Sequence, residues 1–295
     1  MKYTASGKLL LFGEYFVLKG SPCFAAPLKF GQNLEIRYSD DPGVFWEVND
    51  PYGQWIKVQF DEELNVLEAT DKKQASQIRK VLRIIQKSKP DIVWSGLSFH
   101  FSIDFDRSFG FGTSSTFLSL LAQWSGVNAY DLLAHTFRGS GYDIAAAQEK
   151  TAFTYTVDDR VINRFEIHEN IQQQVLFVYL GNKQKSSSEV QRFSSLTVSQ
   201  EQMGIMHEIV DEATECKEIE VWEALMEKSE SLLSSVLKTE KVKEKLFADY
   251  PYAIKSLGAW GGDFVMATCR DIEEAKAYFQ KKNKQPVFLY KELIK

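Results

Sequence analysis

Cysteine is scarce in this chain: Cys23, Cys216 and Cys269 are the three in 295 residues. Three thiols, odd in number and far apart, make neither a disulfide framework nor a zinc cluster, and they fit a reducing, cytoplasmic setting. Histidine is nearly as rare. His100, His135, His168 and His207 share no metal-ligand spacing and are expected to be structural or exposed. No run approaches the roughly 20 apolar residues of a membrane span, so no membrane partner is expected. Leu9 to Leu18 is mostly apolar, but Gly13-Glu14 breaks it and no small-residue cleavage site follows, which argues against a signal peptide. A basic stripe is missing too. Net charge is −5, and the positive residues from Lys80 to Lys89 alternate with Val81, Leu82, Ile84 and Ile85. That is the solvated face of an amphipathic helix, so no nucleic-acid partner is expected.

What is present is a composition rich enough in apolar residues for a real core, over a length that suggests about two domains. The first 40 residues read as strands, Lys8 to Phe12 and Cys23 to Tyr38, and Val44 to Phe60 continues in the same style. Asp71 to Lys87 is predicted helical, because Ile78, Val81, Leu82 and Ile85 recur at helical spacing. A strand follows over Leu97 to Phe105, then a helix over Thr113 to Trp124 that Gly126 stops. Asn128 to Phe137 and Asp143 to Lys150 read as short helices, and Thr151 to Ile167 as two strands around Asp158-Asp159. Beyond a boundary near Glu169-Asn170 the order is β, helices, β, β, α, β, which suits a ferredoxin-like sandwich. The expectation is an α+β chain with domains at residues 1–168 and 169–295.

Three clusters of small residues stand far apart: Ser6-Gly7-Lys8, Gly110-Phe111-Gly112-Thr113-Ser114-Ser115, and Gly258-Ala259-Trp260-Gly261-Gly262-Asp263. One such cluster is a turn. Three suggest loops converging on one ligand, because backbone without side chains can approach phosphate oxygens and present N–H groups to them. The middle cluster opens a helix, where unpaired amides and the helix dipole favour an anion. Taken alone it also reads as an ordinary turn with Ser or Thr as N-cap. It is neither a Walker loop nor a dinucleotide fingerprint. Lys8 sits beside the apolar run Leu9-Leu10-Leu11 and needs a partner, a cleft or a path to water. Asp143 ends Gly139-Ser140-Gly141-Tyr142-Asp143 at the start of an alanine-rich helix, where an acid also complements the dipole. Read together, Lys8 keeps the carboxylate ionised and stabilises a moving phosphoryl group, while Asp143 takes the proton of an attacking hydroxyl. Lys183 and Lys185, beside Ser186-Ser187-Ser188, suit an anionic substrate group or a solvated loop.

In this order and spacing the motifs resemble the GHMP kinases, the group that contains galactokinase, homoserine kinase, mevalonate kinase and phosphomevalonate kinase. Ser6-Gly7-Lys8 through Gly13-Glu14-Tyr15 looks like the first family motif, Gly110 to Ser115 like the second and Gly258 to Asp263 like the third. The Gly-Tyr-Asp-Ile-Ala segment starting at Gly141 and the closing Asp263 look most like the phosphomevalonate kinase branch. Trp260 stands where the family has glycine, Phe111 where it has leucine and Thr113 where it has serine. The resemblance implies an N-terminal α+β domain with a left-handed crossover, a ferredoxin-like C-terminal domain and an active site between them. It implies ATP and magnesium as cofactors, Asp143 and Lys8 as catalytic residues, and nucleotide binding by Gly110, Gly112, Thr113, Ser114 and Ser115. It further implies Ser114 near the metal, and a substrate or phosphate loop over Gly258, Ala259, Trp260, Gly261, Gly262 and Asp263, with Glu14, Lys183 and Lys185 beside it. The expected reaction is phosphoryl transfer to a small acidic acceptor, phosphomevalonate or mevalonate, by a monomer or homodimer. A diphosphomevalonate decarboxylase-like enzyme and a nucleotide-binding paralogue without turnover are the alternatives.

Overall fold

The computed structural model describes residues 1–137, 139–181, 193, 195–258 and 262–295. They form two compact units, neither of them one stretch of sequence: residues 1–7, 30–107 and 111–148 make the first, and 8–29, 108–110 and 149–295 the second. Strands β1 (Lys2–Phe12) and β2 (Cys23–Tyr38) contribute residues to both.

In the first unit, the latter part of β2 joins β3 (Val44–Asp50), β4 (Gly53–Phe60), β5 (Val66–Ala69) and β6 (Leu97–Ile103) in the order β5-β4-β3-β6-β2. All neighbours are antiparallel except β3 and β6, which run parallel in register from Val44 opposite Leu97. A parallel neighbour requires a crossover. Here the chain makes it through β4, β5 and helix α1 (Lys72–Ser88). Asp71 caps that helix by accepting from the amides of Lys73 and Gln74. Its buried stripe is Ile78, Val81, Leu82 and Ile85, while Lys80, Arg83 and Lys87 face solvent, as the spacing predicts. Trp46 is fully buried in this unit, stacked on Phe99 and Phe101 at 5.0 and 4.7 Å between ring centroids. Helices α2 (Thr113–Ser125), α3 (Ala129–His135) and α4 (Tyr142–Gln148) complete it, with α2 packed on both of the others.

In the second unit, residues 23–25 of β2 pair with β7 (Phe153–Tyr155), which pairs with β8 (Ile162–Arg164). Helix α5 (Glu169–Gln172) then leads to β9 (Val175–Tyr179). Helices α6 (Gln200–Glu215), α7 (Ile219–Leu237) and α8 (Val242–Leu246) precede β10 (Ile254–Leu257) and β11 (Phe264–Thr268). After α9 (Ile272–Lys281) the chain closes with β12 (Val287–Leu289) and the single turn α10 (Tyr290–Leu293). These strands make an antiparallel sheet in the order β10-β11-β9-β12. Leu176, Val178, Ile254, Val265 and Ala267 point from it into a core closed by Phe247, Tyr250 and Phe279. Cys23, Cys216 and Cys269 are buried free thiols.

Candidate active site

The helix-opening loop of the first unit is built for close approach. Gly112 is the N-cap of α2, with φ 92° in the left-handed region that favours glycine. Lacking a side chain, it leaves the first-turn amides uncapped, so the Ser or Thr N-cap of the ordinary turn is not what forms. The hydroxyls of Ser115 and Thr116 both donate back to the carbonyl of Gly112, at 2.9 and 3.1 Å. They therefore stiffen the turn and leave its amides for an incoming acceptor. Ser114 is exposed and Thr113 half-buried at the same helix start. Such an end carries unpaired donors and the positive pole of the helix dipole, the physical basis of phosphate binding.

Further contacts within that unit fix the loop. A Cβ on Gly7 would lie 3.0 Å from the carbonyl oxygens of both Phe111 and Phe30, so glycine is what lets β1 lie against the loop backbone. Arg107, which precedes the loop, is held from the β3–β4 hairpin: its Nε donates to Asp50 at 2.7 Å and its guanidinium lies 3.9 Å over the Trp55 ring. Tyr52 at the hairpin tip donates to Asp106 at 2.5 Å. Nothing in the local sequence announces this clamp, because its partners lie 54 and 57 residues apart. Asp143 stands half-buried in the first turn of α4, after Gly141 at φ 93°. Packing of α2 on α4 thus sets the helix bearing Asp143 beside the helix bearing Ser114.

In the second unit, pieces of the second and third glycine motifs meet. The carboxylate of Asp263 lies against Gly110, where a Cβ would collide with it. The Asp263 carbonyl accepts from the Leu180 amide at 2.9 Å, and Tyr179 donates to Ser108 at 2.9 Å, so the ends of β9 and β11 seat residues 108–110. Gly258 has φ 75°, and Gly262 is buried. Lys8 is half-buried on β1. Five residues on, the strand ends in a strained turn, with Gly13 at φ 87° and Tyr15 at φ 63°, a genuine outlier for a bulky side chain. This turn buries Glu14, which is ion-paired with Lys255 of β10. Ala259, Trp260, Gly261, Lys183 and Lys185 lie outside the described residues.

Sequence reasoning missed Lys255 and Glu230. Both are fully buried, and Glu230 of α7 accepts from the Ser256 amide at 3.0 Å. The signal was available: Lys255 is a charge inside an apolar strand ahead of a glycine loop, the same anomaly that singled out Lys8. Burial raises the Glu14 carboxyl above its ordinary range against the pull of Lys255. Burial likewise pushes Glu230 up to about 8, with Glu14 adding to the rise and Lys255 opposing it.

No family model matches the chain, and no curated protein sequence does. Solved structures do. Mevalonate kinase of Methanococcus jannaschii superposes with a TM-score of 0.75 at 16% identity, over 98% of this chain and 96% of that one. Streptococcus pneumoniae phosphomevalonate kinase, in complex with phosphomevalonate and AMPPNP, gives 0.74 at 16% identity, over 98% and 99%. Galactokinase of Lactococcus lactis, complexed with galactose, gives 0.68 at 12% identity, over 97% and 91%. The chain has the GHMP kinase fold. That fold accounts for the mixed sheet with α1 in its crossover and for the separate antiparallel sheet β10-β11-β9-β12.

Proposed function

We propose that the chain is an ATP-dependent small-molecule kinase that transfers the γ-phosphoryl group to an oxygen of a small acidic acceptor, phosphomevalonate or mevalonate. The observation that carries this reading is the start of α2, where Gly112 leaves the first-turn amides uncapped beside the exposed Ser114. It is supported by a fold shared with a phosphomevalonate kinase that binds its acceptor and AMPPNP. Residues 1–168 and 169–295 are proposed as the nucleotide-binding and ferredoxin-like domains of this enzyme.

Phosphoryl transfer asks a protein mainly for positioning and charge stabilisation. The α2 amides receive phosphate oxygens, and Gly110 and Gly112 keep side chains out of their way. Asp143 accepts the proton of the acceptor hydroxyl as its oxygen attacks, and Lys8 stabilises charge on the transferred group. Lys183 and Lys185 are assigned to the acidic end of the acceptor. Among the described residues no group of three or more His, Cys, Asp or Glu is placed to hold a metal. Ser114 fits a magnesium ion that arrives on the nucleotide phosphates, the mode in which Mg²⁺ is usually bound. A magnesium ion held there by Ser114 and the phosphates would supply positive charge against the negative charge that develops in the transfer.

The test is ADP release with Mg·ATP against mevalonate, phosphomevalonate, diphosphomevalonate, homoserine and galactose, with carbon dioxide monitored alongside. ADP release that depends on one acceptor, without carbon dioxide, is the expected result. Carbon dioxide release would reassign the chain to decarboxylation, and ATP binding without any turnover would make it a silent paralogue.

A further inference from the structure

Strand β10 is an edge strand, hydrogen-bonded on one side to β11 through the pairs Ser256–Val265 and Leu257–Phe264. Among the described residues its other side lacks a strand, and an edge leaves backbone donors in need of partners. At this edge the partners are buried ionisable side chains. The Ser256 amide donates to Glu230 Oε1 at 3.0 Å. Lys255 Nζ donates to the Ser256 carbonyl at 3.0 Å and pairs with Glu14 Oε1. Its ammonium also stands 5.4 Å from the centroid of the Phe12 ring, on the strand that carries Lys8. Two residues beyond Ser256, Gly258, which opens the third glycine motif, has a left-handed φ.

As a source of stability this cluster is poorly made. Glu14 Oε2, Glu230 Oε2, Ser229 Oγ and Ser256 Oγ are buried without a hydrogen-bond partner among the described residues. Desolvating three ionisable groups for so incomplete a network is often matched or bettered by apolar side chains of similar volume. What the network does achieve is geometric. It joins three elements far apart in sequence (the turn after β1, helix α7 and strand β10) just ahead of Gly258.

We propose that Lys255 is a positioning residue, which through Glu14 and the Ser256 carbonyl anchors the segment leading to Gly258 to the strand bearing Lys8 and so sets the rate of phosphoryl transfer. The effect on rate rests on the kinase reading; the anchoring does not. Lys255→Met alone strands Glu14 in the core and is expected to lower the melting temperature. The deciding protein is therefore the double variant Glu14→Gln/Lys255→Met, in which both charges are gone and the melting temperature is expected to return towards wild type. Hydrogen exchange at the amides of residues 256–258 should then be at least tenfold faster than in the wild type, and acceptor-dependent ADP release at least tenfold slower. Wild-type exchange at those amides, or wild-type turnover by the double variant, overturns the proposal. If the wild-type chain itself releases no ADP with any acceptor while exchange still accelerates in the double variant, the kinase reading fails and the anchor stands.

Discussion

The polar groups at the start of α2 and those around Lys255 are held in opposite ways. In the first unit, Thr113, Ser114 and Asp143 are partly or fully exposed, and glycine keeps the helix amides clear of caps. In the second, Glu14, Glu230 and Lys255 are sealed in the core and take one another and the Ser256 backbone as partners. The first arrangement suits a group that must meet a ligand; the second suits one that must hold a backbone still. Charge at an open site keeps most of its hydration until a ligand arrives, whereas a buried charge has already lost it and depends wholly on its partners.

The largest expected effect lies on the open side. Asp143→Asn keeps the size of the side chain and removes its capacity to accept a proton, so kcat should fall by roughly 10²–10⁴ while Mg·ATP affinity stays near wild type. Acceptor-dependent ADP release and equilibrium ATP binding, measured on the same preparation, separate the two quantities. Unchanged turnover would remove Asp143 from the chemistry and leave it as the acid that complements the α4 dipole.

The sealed side should answer to pH. Glu230 has a folded-state pKa of about 8 against an ordinary 4.5, chiefly through burial. A carboxyl raised in this way stabilises the fold fully below its unfolded pKa, and that stabilisation is lost as pH rises towards the folded value. Stability should therefore decline between about pH 4.5 and 8, by an amount on the order of several kcal/mol for a shift of this size. The groups facing Glu230 are Lys255, Glu14, Glu227 and the Ser256 amide. Glu230→Gln keeps the acceptor for that amide and cannot ionise, so urea unfolding at pH 5 and pH 8 should show a flatter profile than wild type. An unaltered profile would mean that Glu230 is not the group whose ionisation costs stability.

These two sites also differ in how far the sequence discloses them. Periodicity places α1 and α2 within a few residues and finds most of the strands, because each needs only its own apolar stripe or alternation, although β1 begins at Lys2 and not at Lys8. Gly112 and Asp143 are legible for a similar reason: a left-handed cap and a first-turn acid are local events in the chain. The Glu14–Lys255 pair spans 241 residues, and Glu230 and Ser256 are 26 apart, so no window of sequence contains either bond. The short strand β5 escapes too, since Val66 and Leu67 are exposed and it carries no buried alternation to read. Long-range pairing is written in the sequence as an anomaly, a lysine in an apolar strand, and its partner becomes visible only when the fold closes.

The smallest expected effects come from the two glycines that bracket this divide. Gly110 has φ 68° and its missing side chain makes room for the Asp263 carboxylate, whereas Gly258 has φ 75° and no described atom within 4 Å of where a Cβ would stand. Gly258→Ala should therefore cost only the left-handed conformation, roughly 1–2 kcal/mol. Gly110→Ala adds a steric conflict, and because a carboxylate at the end of a rotatable side chain can move aside, the added cost should fall on geometry more than on folding. The pair is expected to lose similar thermal stability, while Gly110→Ala alone weakens Mg·ATP binding, by about tenfold or more, as Asp263 is driven from its seat. Calorimetric unfolding and nucleotide titration of both variants check this. Equal nucleotide affinity in the two would show that the contact between Gly110 and Asp263 is packing, and would confine the phosphate-binding function to the amides of α2.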